Sequence, residues 1–212
     1  MERAAVNVDT LFGRLTEMGY TFCCAEPRTR PGPESVAIRA FLRQHVGAIP
    51  DSFDAWLSHV GNISFRGILS SWHGSQPWEG ELFDPLECAL SREQVADELE
   101  HARELHEEDF PGAPLTEFPL PFAGDFFHKN NISGGAASEI ILPSDHADAR
   151  ITEDNGGRYT DYHDSLPGDE SGIWFVDYLR RYFVNGGFRR VRRDHPYPTS
   201  FFEDLAEGLL PI

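Results

Sequence analysis

The stretch DFFHKNNISGG, residues 125–135, gathers side chains that could do chemistry. His128 could transfer a proton, and Lys129, the only lysine of the chain, could form a Schiff base. A Schiff-base lysine needs a desolvated pocket that lowers its pKa, whereas polar neighbours such as Asn130 favour a solvated ammonium group. Because asparagine and glycine tolerate a positive φ, the stretch is typical of a shaped turn. We expect His128, Lys129 and Asn130 at its exposed tip, as partner contacts rather than catalytic groups.

Known nucleophile and phosphate-binding motifs do not occur in the sequence. There is no G-x-S-x-G nucleophile elbow, and Gly134 and Gly135 lack the spacing of a P-loop or a dinucleotide fingerprint. Cys88 lies in the apolar run PLECAL, where a thiol is usually packed and unreactive. With 35 acidic residues, no particular pair of carboxylates stands out as an acid and a base. The sequence therefore predicts no catalytic residue and no cofactor.

Three groups of residues have side-chain types that could bind a metal ion. His101 and His106 lie on one predicted helix, but five positions separate them by about 140° around its axis, so they cannot face one ion. The clusters DHAD at 145–148 and DYHD at 161–164 lack the spacing and the glycine of an EF-hand loop. Clusters of this kind are usually polar loops. We therefore predict no metal site.

The charge of the chain restricts its partners. The formal net charge is −17 at pH 7, which argues against binding to nucleic acid or to an anionic membrane. The same excess attracts a cationic partner, although a merely solvated acidic surface would look identical in the sequence. The one basic cluster, Arg180–Arg193, holds six of the 18 basic residues and could contact an anion or balance the surrounding acids.

Residues 91–109 form the clearest predicted helix, because Ser91 and Gln94 match a capping box and Pro111 ends the segment. This helix has two arginines against eight acidic residues. We expect it to form the acidic rim of a partner-binding surface. We also expect the acids to lie on more than one face, so that only a subset contacts a partner at once. The candidate rim residues are Glu93, Asp97, Glu100, Glu104, Glu107 and Glu108.

Helical periodicity dominates the first half of the chain, and short strands separated by Pro, Gly, Asn and Asp dominate residues 115–165. This order predicts an α+β fold with a mainly antiparallel sheet in one domain, 1–212, of which 1–35 are an N-terminal helix and a Pro-rich extension. A second helix is predicted at 34–46, with Val36 facing inward. The predicted core residues are Trp56, Leu57, Phe122, Ile141, Phe175 and Leu179.

The segment IRAFLRQHVGAIPDSFDAWLSHVG, residues 38–61, resembles the opening of the SMI1/KNR4 family of the SUKH superfamily. The matching positions are Ile49-Pro50, Phe53, Trp56-Leu57 and Val60-Gly61. Downstream, Pro121, Phe122, Ala123 and Asp125 are similar to the family's P-F-A-x-D segment, SEIIL to its following strand and WFVDYLRRYF to its late helix. The resemblance covers about residues 36–185. The family's D-G-x-G turn is absent, because Phe126 and Phe127 occupy that place, and this indicates a divergent bacterial branch.

The resemblance implies helices packed against a mainly antiparallel sheet. It also implies a bacterial immunity protein, a non-catalytic module that binds and neutralises a toxin, often a nuclease. A nuclease must be cationic to hold phosphate, so this partner agrees with the acidic charge. A regulatory or scaffolding role and, in another class, a hydrolase built from carboxylates are the alternatives.

The sequence also indicates the cellular compartment of the protein. The three cysteines include an adjacent pair, Cys23 and Cys24, and form no readable disulfide pattern. No apolar run approaches the ~18 residues of a membrane helix, and the N-terminus has no signal-peptide pattern. We therefore expect a cytoplasmic protein with reduced thiols.

Overall fold

The computed structural model describes residues 1–69, 85–124, 137–152, 173–188 and 200–212. The helices are α1 (Glu2–Glu17), α2 (Pro33–His45), α3 (Asp51–Ala55), α4 (Arg92–Asp109), α5 (Phe175–Val184) and α6 (Ser200–Ala206). The strands are β1 (Tyr20–Phe22), β2 (Arg28–Thr29), β3 (Asn62–Ser64), β4 (Gly67–Leu69), β5 (Glu87–Cys88), β6 (Phe118–Gly124), β7 (Ala137–Leu142), β8 (Arg150–Thr152) and β9 (Ile173–Trp174). A π-helical turn, Trp56–Val60, continues α3.

The strands form three small antiparallel sheets within the described residues. The largest has the order β6-β7-β8-β9, and the other two have the orders β2-β3-β5 and β1-β4. The register of β6 against β7 shifts between Pro121 and Ala123, where a bulge bends the strand. Helices packed with antiparallel sheets confirm the predicted α+β class.

The buried apolar residues form one continuous core. Five of the predicted core residues lie in it, since Trp56, Leu57, Phe122, Phe175 and Leu179 are all buried. The ring of Phe175 lies edge-on to those of Trp56 and Phe122, with centroids 5.4 and 5.8 Å away, an arrangement that adds to their area burial. The first 35 residues contribute as well, because α1 inserts Ala4, Val8, Leu11 and Leu15 into the same core.

Two predicted inward positions were wrong. Ile141 is only partly buried, because β7 alternates and points Ile140 and Leu142 into the core. Val36 is 62% exposed, since the inward stripe of α2 runs through Ser35, Ile38 and Leu42. In β7 the neighbouring isoleucine occupies the core position, and in α2 the buried neighbour of Val36 is Ser35.

Gly61 ends the α3 segment and requires glycine. Its φ is +87°, and its N–H donates to the carbonyl of Trp56 at 3.0 Å. A Cβ at this position would lie 2.5 Å from the carbonyl oxygen of Thr29 in β2. The chain can therefore turn directly from the buried helix into β3 only because no side chain is present.

Candidate functional site

Four of the predicted partner-binding residues lie together on α4, and three lie outside the described residues. Glu93, Asp97, Glu100 and Glu104 are all exposed. His128, Lys129 and Asn130 belong to the turn DFFHKNNISGG, which is not among the described residues. The DYHD cluster at 161–164 and the arginines at 189–193 are also outside them.

Six of the seven exposed acids of α4 lie on one side of the helix, and Asp109 is the exception. An unbroken helix rotates about 100° per residue, and the spacings of 4, 3, 4, 3 and 1 from Glu93 to Glu108 keep all six within an arc of about 100°. The expectation that they would lie on more than one face was therefore wrong. We call this surface the acidic face. Its members are Glu93, Asp97, Glu100, Glu104, Glu107 and Glu108, all exposed.

The opposite side of α4 fixes the direction of the acidic face. Val95 and Leu99 are buried, and Ala102 and His106 are partly buried, so positions spaced by 4, 3 and 4 form the inward stripe. This stripe packs against α2 and β6. The inward and the acidic positions repeat with the same period on opposite sides of α4. When the inward side chains face the protein, the acidic side chains therefore face the solvent.

Hydrogen bonds at its N-terminus hold α4 in register with α2. The hydroxyl of Ser91 accepts from the backbone N–H of Gln94 at 3.0 Å, as the capping box predicted. The carboxylate of Glu34, on α2, accepts from the backbone N–H of Arg92 at 2.5 Å. The guanidinium of Arg92 lies 5.0 Å from the centroid of the Phe41 ring. The two hydrogen bonds satisfy helix-end donors that would otherwise lack partners.

The charge of the acidic face is not neutralised by an ion pair within the described ranges. The salt bridges there join other carboxylates to arginines, at Asp9, Asp54, Glu87 and Asp177. Arg103, on α4 itself, donates to the backbone carbonyl of His45 at 3.2 Å. Neighbouring acids spaced by three or four residues lie about 5–6 Å apart, less than the Debye length of about 8 Å, so their fields overlap.

The metal-type clusters that are described have other roles. The carboxylate of Asp148 accepts from the backbone N–H of Val176 at 3.3 Å and so caps α5. The His146 ring lies 6.0 Å from that of Trp174, and the His106 ring lies 5.2 Å from that of Phe110. In the part of the chain that the structure describes, no group of three or more His, Cys, Asp or Glu side chains is placed to hold a metal ion.

Cys88 is fully buried in β5, and burial raises the pKa of its thiol well above the usual range, with a further contribution from the charge of Glu87. A buried, protonated thiol is a poor nucleophile. This position agrees with the interpretation of Cys88 as a packing residue.

A second acidic surface lies at the C-terminal helix. An open groove of about 650 Å³ separates the end of α5 from α6. Its lining residues are Val184, Asn185, Phe202, Glu203, Asp204, Ala206 and Glu207. The groove combines carboxylates with an apolar floor, and it contains none of the histidines or cysteines considered above.

Part of the basic cluster Arg180–Arg193 is described, and it is engaged locally. The guanidinium of Arg180 forms an ion pair with Asp177 at 2.7 Å and donates to the carbonyl of Ile212 at 2.7 Å. Arg180 therefore joins α5 to the C-terminal segment instead of presenting a free cation to an anion.

None of the described helices combines the length and the apolar character needed to cross a membrane. Comparison with known proteins finds no matching family model, no matching curated protein and no matching solved structure.

Proposed function

We propose that this protein is a non-catalytic, SMI1/KNR4-like binding module that acts as a bacterial immunity protein and neutralises a cationic, nuclease-type toxin. The acidic face of α4 carries this proposal. It presents six exposed carboxylates on one side of a helix whose other side is fixed in the core. From Glu93 to Glu108 the helix extends about 22 Å, which is long enough to serve one edge of a standard protein interface.

Electrostatics explain why such a face suits a nuclease. A nuclease holds the phosphate backbone with Lys and Arg side chains, and a row of carboxylates matches that basic surface. Complementary charge speeds encounter and rejects partners of the same sign. A toxin bound in this way has its basic residues occupied, so that its nucleic-acid substrate is excluded by competition for the same groups.

The positions of the family-like motifs are compatible with the proposal. Ile49, Pro50 and Phe53 open the α3 segment, and Pro121 and Phe122 lie in β6. The late motif WFVDYLRRYF spans β9 and α5. These segments pack in one core of helices and antiparallel strands, an α+β arrangement that is compatible with the resemblance.

The experiment begins with the gene beside this one, which the immunity function requires to encode a large secreted protein with a C-terminal toxin domain. That domain is then used in a protection assay. Induction of that domain should arrest growth, and co-expression of the wild-type chain should restore it. A variant with Lys at Glu93, Asp97, Glu100 and Glu104 should not protect. The control has Lys at four other exposed acids, namely Glu17, Glu26, Asp145 and Glu207.

The control changes the net charge by the same amount and should protect as the wild type does. Equal protection by both variants would show that the acidic face does not bind the toxin. If the wild-type chain neither binds nor protects against that domain, the immunity function is wrong.

A further inference from the structure

The groove between the end of α5 and α6 combines apolar and charged side chains in one concave surface. Val184 lines it from α5 and is 75% exposed, and Phe202 and Ala206 line it from α6. The exposed acids Glu203 and Glu207 line the same groove. Its volume of about 650 Å³ is typical of protein sites that bind ligands. The groove therefore has room for a few side chains of a partner.

The packing of α6 fixes the shape of this groove. Gly186, in the turn after α5, has a φ of +64°, and a Cβ there would lie 2.5 Å from the Cβ of Leu205. The two helices are therefore joined closely beneath the groove. Arg14 of α1 holds the other end of α6, because its guanidinium donates to the carbonyls of Leu205 and Glu207 at 2.7 Å each. A preformed groove loses little conformational entropy when it binds.

The carboxylates of the groove have a spacing that suits a forked cation. Glu203 and Glu207 are one helical turn apart on α6, so that their Cβ atoms are about 5–6 Å apart. Asp204 adds a third carboxylate to the lining. Among the described residues, none of these three acids is in a salt bridge. The planar guanidinium of an arginine can donate to two carboxylates at once, whereas the ammonium group of a lysine is a point charge.

We infer that this groove binds a segment of a partner protein in which an arginine lies next to an apolar residue. The arginine bridges Glu203 and Glu207, and the apolar neighbour covers Val184, which is otherwise in water. The groove shares no residue with the acidic face of α4, so this inference goes beyond the proposed function and does not depend on it. A second copy of this chain is disfavoured, because each copy has a net charge of −17.

The probe is the short peptide Gly-Leu-Arg-Leu-Gly with both ends blocked, so that the arginine carries its only charge. Binding to the wild-type chain is measured by NMR titration, and the resonances of Val184 and Ala206 should shift. A peptide with Lys in place of Arg should bind about threefold or more weakly. A peptide with Ser in place of both leucines should also bind more weakly, because it buries less apolar area.

Variants of the groove test the two contacts separately. Glu203→Gln with Glu207→Gln should weaken binding of the Leu-Arg-Leu peptide about tenfold. Glu26→Gln with Asp145→Asn removes the same charge at exposed positions outside the groove, and it should leave the affinity unchanged. Val184→Ser should weaken binding of the Leu-Arg-Leu peptide and leave that of the Ser-Arg-Ser peptide unchanged. Circular dichroism checks that each variant is folded, which is expected because the substituted side chains are exposed.

Three results would overturn this inference. The first is a groove variant that binds as tightly as the wild type, or a wild-type chain that does not bind the peptide. The second is loss of binding only when the acidic face of α4 carries Lys, which would place the peptide on α4 and leave the proposed function intact. The third is an affinity that rises when Gln replaces Arg189, Arg190, Arg192 and Arg193, which would show that arginines of this chain compete for the groove.

Discussion

Asn7 holds Leu210 through both ends of its side-chain amide. The Nδ2 group donates to the carbonyl of Leu210 at 2.8 Å, and the Oδ1 atom accepts from its N–H at 2.7 Å. Asn7 is buried on α1, and 203 positions separate the two residues in the chain. Arg14, two turns further along the same face of α1, donates to the carbonyls of Leu205 and Glu207. The first helix therefore fixes the C-terminal segment with polar contacts.

Asn7→Ala should lower the free energy of unfolding by about 1–3 kcal/mol, because it leaves the N–H and the carbonyl of Leu210 without their partners in a partly buried place. Urea denaturation at neutral pH measures the change. Thr10→Ala on the same helix is the control, since the Thr10 hydroxyl donates to the carbonyl of Val6 within its own helix and its loss should cost about 0.5 kcal/mol or less. Equal effects of the two substitutions would contradict the role assigned to Asn7.

The sequence predicted the elements whose signals are local. The α4 helix was predicted from the capping box of Ser91 and Gln94 and from Pro111 after its end, and α5 from the motif WFVDYLRRYF. Both occur at the expected places. Contacts between distant residues have no local signal. The bonds of Asn7 to Leu210 and of Glu34 to Arg92 could not be read from spacing, because each depends on how the helices pack.

Part of the candidate surface was predictable and part was missed. The acids of α4 were identified by their residue type, and their common face followed once the helix was known to be unbroken. The exposure of Leu105 and Phe110 was not predicted, although Leu105 lies off the inward stripe set by Val95, Leu99 and Ala102. The run EIIL contains three consecutive apolar residues, so it gave no alternation with which to decide whether Ile140 or Ile141 faces inward.

The two isoleucines of β7 should respond differently to truncation. Ile140→Ala should destabilise the protein by about 2–5 kcal/mol, because Ile140 is fully buried and its loss leaves a cavity. Ile141→Ala should cost less than about half as much, since part of its side chain is already in water. Thermal or urea unfolding of the two variants measures how much stability each one loses. A larger loss of stability for Ile141→Ala would be incompatible with a strand in which Ile140 faces the core.

Asp54 joins α2 to the α3 segment and should make stability depend on acidic pH. Arg39 donates to both of its carboxylate oxygens, at 2.8 and 2.7 Å, and Arg43 donates at 2.5 Å. The hydrogen bonds from Arg39, aided by the charges of both arginines, lower the pKa of Asp54 despite its partial burial. A lowered folded-state pKa stabilises the protein above the unfolded value of about 3.9, and this contribution is lost as the pH falls through the folded value.

Asp54→Asn should therefore cost about 1 kcal/mol at neutral pH, and the difference from wild type should shrink below about pH 4. Asp145→Asn, at an exposed acid of the 143–149 segment, provides the comparison and should change little across the same range. Free energies of unfolding measured from pH 7 down to pH 3 test this. A deficit that stays constant down to pH 3 would rule out the ion pair as its cause.

The three cysteines should differ in reactivity. Cys23 is exposed and Cys24 is half-buried, whereas Cys88 is buried with a raised pKa. A maleimide at neutral pH should modify Cys23 in the folded protein and reach Cys88 only after unfolding, as mass spectrometry of the peptides would show. Because the buried thiol stays protonated while the unfolded one ionises near pH 8.5, Cys88 should also reduce stability as the pH rises above that value. Rapid native labelling of Cys88 would contradict its burial.

Charge reversal on the acidic face should slow association with a cationic partner. Glu100 and Glu104 are one helical turn apart at the centre of the face. If the face steers encounter, Glu100→Arg with Glu104→Arg should lower the association rate by about tenfold at low salt and weaken its salt dependence. Dissociation should change little, because steering acts before the interface is formed. Stopped-flow kinetics with the toxin domain measure both rates.

The matched control is Glu17→Arg with Glu26→Arg, which changes the net charge by the same amount at exposed positions away from α4. It should reduce association only slightly, because charges more than a Debye length from the contact are screened. Equal slowing by the two double variants would mean that net charge, and not the acidic face, attracts the partner. An association rate that responds to neither the reversals nor added salt would leave the acids of α4 with no part in docking.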